Sequence, residues 1–511
     1  MVGLIKKQYL FYTLLFLIGI LSRLPFLEKA QSHWDGPDYT IGILHYSFIE
    51  KTPSPPGYPL YIAFGKFFNL FISDPHLSIV LVSVLFAGIG AIVFYLAGKL
   101  MFDRVVGIIS SSIFLSAPTI FYFGITANPY GILPVTATLV ALTVFLIIKE
   151  KKDYGFLLAL VFSFAIGIRP QDAMFLTPLY LLGWYYLKSQ ERITSIVGLA
   201  FLTLSWFIPT IVAVGGLHEY LSYIYSFTRN DAAPDLSIQR IVQITPIIIK
   251  GIYLTCGLAS LFLLMTIKYR SFVIYPGKLL GKNIKPYFLV FMFWITPSLL
   301  FNIFVRSDHA AHQMTYLSAF IVLVSYFLKN SFRKKIIFVV LILVIINLIT
   351  FFRDRDPQKI EPYVSQSFHY SEIVKNNERM DVLKNYITAK YLPTQTIVIT
   401  DPEVFRATSY HLKNYKVYSF GALDTNNFPH ANIVHTSFNW HYLKTTEAVH
   451  EFTVPSGIRY ILFYNNNKPM VFKKLDVVAP LLLVGNQQVY VLKVKEKETL
   501  RFSIGQISTS D

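Results

Sequence analysis

Through the first two thirds of the chain, apolar residues come in unbroken blocks rather than at strand or amphipathic-helix spacing. Each block runs roughly 15–25 residues, the helical length that crosses a hydrocarbon layer of ~30 Å. About eleven spans follow: Tyr9–Leu24, Ile79–Leu96, Val105–Phe123, Ile132–Ile148, Tyr154–Ile168, Ala173–Leu187, Ile193–Val214, Ile241–Ile267, Tyr287–Val305, Met314–Leu328 and Ile336–Phe352. The blocks then stop.

The polar connections between these blocks alternate in charge. One set is short and basic: Lys6 and Lys7, Lys99 and Arg104, Lys149 to Lys152, Lys188 and Arg192, Lys268 to Lys285, and Lys329 to Lys335. The other set, which holds Trp34 to Asp74, Thr126–Tyr130, Arg169–Asp172, Gly215–Arg240 and Arg306–Gln313, is mixed and richer in Asp, His and Pro. Basic residues keep short loops on the cytoplasmic side, so the pattern predicts a cytoplasmic N-terminus and, for an odd number of spans, an external C-terminal tail.

Composition agrees with this frame. The 511 residues are 54% hydrophobic and 15% charged, against about a quarter charged in soluble domains. A net charge of +17 could point to nucleic acid, but basic cytoplasmic loops account for it, and no nucleic-acid partner is expected. The single cysteine, Cys256, lies in an apolar run, which excludes intramolecular disulfides and cysteine-based metal knuckles. Lys6 and Lys7 precede the first run, yet Arg23, Pro25 and Glu28 follow it without a small-residue cleavage site; the run reads as a retained span.

From Arg353 the chain takes on the pattern of a soluble domain. Gln395–Thr400, Tyr415–Ser419, Arg459–Tyr464 and Gln488–Val494 read as short strands, and Tyr370–Lys390 and Asp401–Leu412 as helices. No glycine-rich phosphate loop is visible there. The expected architecture is an α-helical polytopic membrane protein over residues 1–352 with a C-terminal extracytoplasmic α/β domain over 353–511.

The segment richest in chemistry follows the first span. His33-Trp34-Asp35-Gly36-Pro37-Asp38-Tyr39 carries two carboxylates three residues apart, and Ser54-Pro55-Pro56-Gly57-Tyr58-Pro59-Leu60-Tyr61 carries a proline-rigidified turn. With Pro37 in the first turn of a short helix, Asp35 and Asp38 share one side of it. Partial burial and a like charge both raise a carboxylate's pKa, which suits a general base. Asp35 is equally suited to capping that helix. Leu60–Phe71 reads as an interfacial helix.

This pattern resembles the GT-C membrane glycosyltransferases, in particular bacterial relatives of protein O-mannosyltransferases and lipid A aminoarabinose transferases: an acidic pair after the first span, then a long loop with Pro-Pro-Gly-Tyr-Pro-Leu and a juxtamembrane helix. The likeness spans roughly the first 350 residues in topology, with its specific motifs between Trp34 and Tyr61. It implies Asp35 as catalytic base and Asp38 as a helper near the acceptor or a metal, with Trp34, Tyr39, Pro56 and Tyr58 positioning the loop. The family often has Glu at the second acidic position, where this chain has Asp38. A further acidic residue of some relatives is replaced by Asn128.

Further polar groups lie on the same expected side. Arg169 is a candidate contact for a donor phosphate, or the partner of Asp172. Arg306, His309 and His312 are candidates for the same phosphate by family likeness. His309 and His312 with Asp308 form a thin divalent-metal candidate; no cofactor is otherwise expected. His218, Glu219, Arg229, Asp231 and Asp235 flank Tyr220, Tyr223 and Tyr225, a candidate lid over the acceptor.

The expected reaction is inverting transfer of a sugar from a polyprenyl-phosphate carrier to a hydroxyl of a protein, lipid or glycan at the outer face. A transporter or flippase is the main alternative, and would place charges within the spans. A membrane scaffold presenting the tail is another.

Overall fold

The computed structural model describes residues 2–32, 35–48, 52–150, 153–231, 237–264, 284–305, 310–353, 368–400, 402–420, 440–443, 449–465, 471–473, 476–482, 488–503 and 506–509. The chain forms two compact units. The first comprises Met1–Leu27, Pro55–Arg353 and Glu361–Tyr370, and the second Glu28–Ser54, Asp354–Ile360 and Ser371–Asp511. The division therefore departs from a single boundary at 352/353: the acidic segment groups with the tail.

The first unit is helical. Its helices are α1 (Val2–Leu21), α3 (Pro59–Asn69), α4 (Pro75–Met101), α5 (Arg104–Ser116), α6 (Pro118–Phe123), α7 (Leu133–Glu150), α8 (Gly155–Ile168), α9 (Asp172–Tyr186), α10 (Ser189–Val214), α11 (Leu217–Asp231), α12 (Ile238–Cys256), α13 (Ile284–Phe304), α14 (Met314–Phe332) and α15 (Ile336–Phe352); the second unit holds α2 (Gly36–Leu44). Among the described residues, seven helical stretches are long and apolar enough to cross a membrane.

That number is below the eleven apolar runs for definite reasons. Pro118 opens a new helix and divides the run Val105–Phe123 at Ala117, where ψ is 127°. Gly155–Ile168 has 14 residues and Asp172–Tyr186 has 15, both shorter than the roughly 17–25 residues usual for a span. The last two runs join as one stretch, Ala311–Phe352.

Helices α4 and α7 form the buried centre of this unit, whereas α1 and α10 are largely exposed. On α10 the exposed side chains are Ile193, Ile196, Val197, Phe201, Leu204, Ile208 and Val212, an apolar stripe suited to lipid rather than water. Small residues let the central helices close on one another. A Cβ on Gly98 of α4 would lie 2.7 Å from the Gly107 backbone of α5, so only glycine permits this crossing. Asp103 caps α5 through the amides of Val105 and Val106 and also pairs with Lys329 of α14 at 2.5 Å.

In the second unit, α16 (Tyr370–Lys390, of which Ser371 onward belongs here) and α17 (Pro402–His411) pack with ten described strands: β1 (Thr396–Thr400), β2 (Lys416–Phe420), β3 (Trp440–Leu443), β4 (Val449–Thr453), β5 (Tyr460–Asn465), β6 (Val471–Lys473), β7 (Asp476–Leu482), β8 (Gln488–Lys493), β9 (Thr499–Ser503) and β10 (Gln506–Thr509). Strands β1, β2, β5 and β8 begin and end within one residue of the runs that the pattern picks out. A six-stranded sheet has the order β3-β2-β1-β5-β8-β7, and a four-stranded sheet the order β4-β9-β10-β6. Strands β3, β2, β1 and β5 are parallel, while β8 runs antiparallel to β5 and to β7.

Central strand β1 (TIVIT) is buried at every position, as expected for a parallel strand covered on both faces. Val398 points to one core, with Met380, Leu383 and Ile387 of α16 and Val404 and Phe405 of α17. Ile397 and Ile399 point to the other, with Val454, Ile458 and Leu500. The first core also takes in Ala30 and Ile41. The stretch after the first helix is thus packed into the tail's own hydrophobic core.

Candidate functional site

The acidic pair is built on α2. Pro37 occupies its first turn, where a missing N–H costs nothing. Gly36 to Ile43 are all buried, and Thr40 Oγ1 donates to the Gly36 carbonyl at 2.9 Å. Asp35 stands at the N-cap position, but its carboxylate makes no capping hydrogen bond; its carbonyl instead accepts from the amides of Asp38 (3.1 Å) and Tyr39 (3.2 Å). The capping role open from sequence is therefore not the one its side chain plays.

Asp38 lies one turn further on and is 1% exposed. Its Oδ1 forms an ion pair with the guanidinium of Arg406 on α17. Ser54 Oγ donates to its Oδ2 at 3.2 Å. Burial pushes the Asp38 carboxyl up to about 6; Arg406 and the Ser54 hydroxyl pull it down, and the charge of Asp35 adds to the rise. Tyr39 is fully enclosed beside it.

Neighbouring residues fix this segment to α16 and α17. The amides of Lys29 and Ala30 both donate to Asn377 Oδ1 at 2.9 Å. Asn376 Nδ2 donates to the carbonyls of Ala30 (3.1 Å) and Gln31 (2.9 Å). His411 Nε2 lies 3.0 Å from Gln31 Oε1. None of Arg406, Asn376, Asn377 or His411 stands out in the sequence. The only local signal was that Asp401–Leu412 reads as a helix; nothing near Arg406 names its distant partner.

The first unit carries a separate polar group. Arg169, at the end of α8 and 7% exposed, pairs through Nη1 with Asp172 Oδ1 at 3.4 Å, so the intramolecular pairing weighed from sequence is present. Thr315 Oγ1 donates to the same Asp172 oxygen at 3.2 Å. The Arg169 guanidinium carbon lies 5.9 Å from the Tyr130 ring centroid, and the His312 ring meets that same ring edge-on at 5.9 Å. Arg169 and His312 thus gather around Tyr130. Asn128, two residues earlier, is wholly buried; its backbone carbonyl accepts from Ser83 Oγ at 3.1 Å. Among the described residues, neither side-chain amide atom of Asn128 has a hydrogen-bond partner.

In the proline-rich turn, the Pro56 carbonyl accepts from the Tyr220 hydroxyl at 3.3 Å, and burial pushes that phenol up to about 12. Tyr58 is buried and takes a left-handed conformation (φ 50°, ψ 49°) just before α3. Bulky residues rarely adopt it. The Tyr58 hydroxyl is 3.5 Å from Gln171 Nε2, at the limit of a hydrogen bond. Within the candidate lid of the Gly215–Arg240 connection, Leu217–Asp231 is helical. Trp34, Asp235, Arg306, Asp308 and His309 lie outside the described residues, and so does the set Asp308, His309 and His312 as a unit. Among the described residues, no three His, Cys, Asp or Glu side chains are grouped to hold a metal ion.

Residues 53–213 match the family model of the dolichyl-phosphate-mannose-protein mannosyltransferases. In fold, the chain is similar to ArnT from Cupriavidus metallidurans bound to undecaprenyl phosphate, with a TM-score of 0.60 and 11% identity over 96% of this chain and 98% of that one. The apo state of the same protein gives a TM-score of 0.58 at 11% identity, with the same coverage. The archaeal oligosaccharyltransferase AglB from Archaeoglobus fulgidus, in complex with an inhibitory peptide and a dolichol-phosphate, gives 0.45 at 10% identity, over 89% of this chain and 69% of that one. Curated protein sequences give no match. Residues 53–213 thus resemble that mannosyltransferase family, and the chain shares the fold of ArnT.

Proposed function

We propose that the protein is an inverting glycosyltransferase that moves a sugar from a polyprenyl-phosphate carrier to a hydroxyl acceptor at the external face of the membrane. The observation that carries this reading is the match of residues 53–213 to the dolichyl-phosphate-mannose-protein mannosyltransferase family model, following an acidic pair of which Asp38 is buried and Asp35 partly exposed. The fold shared with ArnT supports it, and that protein's complex with undecaprenyl phosphate motivates the choice of carrier.

Asp35 is the base. Its carboxylate takes the proton of the acceptor hydroxyl as that oxygen attacks the anomeric carbon. The carbon–phosphate oxygen bond breaks as the new glycosidic bond forms, with inversion, and the carrier leaves as its phosphate. Asp38 stays ionised beside the base. Arg306 offsets the phosphate charge, assisted by Arg169, whose position Asp172 holds. His309 and His312 are further candidates for the phosphate, and Trp34, Tyr39, Pro56, Tyr58 and Asn128 for positioning loop and substrate.

In this reading the helical unit is an integral part of the cell membrane with about eleven crossings, the shorter helices included. Its N-terminus is cytoplasmic and residues 353–511 form an external α/β domain. The basic connections Lys149–Lys152 and Lys329–Lys335 support that orientation. Mass spectrometry of lipid-linked sugars and surface glycans, with and without the gene, tests the function. Loss of one glycan modification with accumulation of its carrier-linked sugar is expected. Identical profiles would overturn the reading.

A further inference from the structure

We infer that Arg406 is a positioning residue for the acidic pair, so that the tail supplies part of the transfer machinery rather than serving only as an appended domain. The inference rests on the proposal that Asp35 and Asp38 act on the acceptor.

Three attachments hold the segment that carries the pair. Asn376, Asn377 and His411 grip residues 29–31 through backbone and amide groups. Ile41 buries its side chain among Val404, Phe405 and their neighbours. The third attachment, Arg406 to Asp38, is the only one of these that touches an acidic side chain of the pair. The first two fix where α2 lies, and the third fixes the orientation and charge of one carboxylate.

The charge matters because Asp38 is almost sealed from water. A carboxylate at that depth takes a proton unless cations or donors oppose it. Among the described residues, the charged and titratable groups around it are few. Arg406 stands on α17, the helix packed against α2, and Asp35 on its own element; His411, also on α17, is engaged with Gln31. Ser54 supplies one neutral donor. With Asp35 acting in the opposite sense, Arg406 is the main group that keeps Asp38 ionised at neutral pH. The contact runs from Nη1 of Arg406 to Oδ1 of Asp38, and a guanidinium keeps its charge on burial where a lysine ammonium gives it up more readily.

The test uses the full-length protein in lipid nanodiscs, measuring sugar transfer from polyprenyl-phosphate mannose or aminoarabinose between pH 5 and 9. Arg406→Met is expected to lower transfer roughly 10–100-fold at neutral pH and to move the acid limb of the profile upward by about one unit or more. Arg406→Lys is expected to return the limb toward its original place with partial rate. In an Asp38→Asn background, Arg406→Met is expected to add little. Where Arg406→Met fails to fold, Arg406→Gln gives the same comparison. A uniform fall at every pH, or no fall, overturns the inference while the function stands. A parent active on either donor whose Asp38→Asn variant is equally active overturns the reading of the pair and the inference together, as does a parent inactive on both.

Discussion

The guanidinium of Arg406 forms an ion pair with the carboxylate of Asp38, linking a helix of the tail to the first turn of the short helix that follows the opening span. Because Asp38 is buried, this one contact carries more weight than a surface pair, which is typically worth about 0–1 kcal/mol. The acidic segment and the tail belong to one compact unit.

The Asp38 carboxyl titrates near 6 in the folded protein, above the ~3.9 of an unfolded chain. Between those values the folded state binds more protons. The contribution of this group to stability is therefore full below about 4 and lost as pH rises through about 6. Asp38→Asn removes that dependence. The difference in thermal midpoint between Asp38→Asn and the parent should move in the variant's favour as pH is raised from about 4 to about 7. A constant difference across that range would contradict the assignment.

Arg169 and Asp172 form a buried pair inside the helical unit. Arg169→Met leaves the Asp172 carboxylate without its cation and should destabilise the protein by about 3–5 kcal/mol. Arg169→Met combined with Asp172→Leu should recover most of that loss. Thermal unfolding of the three variants in one detergent checks the prediction.

Gly57, with φ 106°, precedes Tyr58 in the left-handed region. An added Cβ at Gly57 is strained whatever the surrounding space. Gly57→Ala should cost about 1–3 kcal/mol, seen as a lower thermal midpoint and earlier proteolysis within residues 55–61.

Asn128 presents a buried amide that no group among the described residues satisfies. An unmet buried polar group costs about 1–3 kcal/mol. Asn128→Ala should therefore leave the thermal midpoint unchanged or raised while lowering transfer, a separation that a purely structural asparagine would not give.

Much of the fold was legible because it rests on local patterns. Unbroken apolar runs announced the helices, Pro37 the start of α2, and the β-rich run before Thr400 the central strand β1. What local patterns hide is how long each helix stays continuous. The break at Ala117 and the short α8 and α9 came from a proline and from the limited length of the runs. The strands β3, β4, β6, β9 and β10 were missed because runs of three to five residues carry too few positions to mark a period, and β7 because Pro480 interrupts its apolar run. At the candidate site, Asp35 and Asp38 were readable from spacing and family likeness, but Arg406, Asn376 and Asn377 were not. Their role arises from pairing across most of the chain's length, and no neighbour in sequence marks them.

The most direct test compares purified parent protein with Asp35→Asn, following turnover of a polyprenyl-phosphate-linked sugar in the presence of acceptor. The variant should fold with the parent's thermal midpoint and lose transfer by about 10²–10⁴-fold, the usual contribution of a general base. Undiminished turnover by Asp35→Asn would contradict the account at its centre.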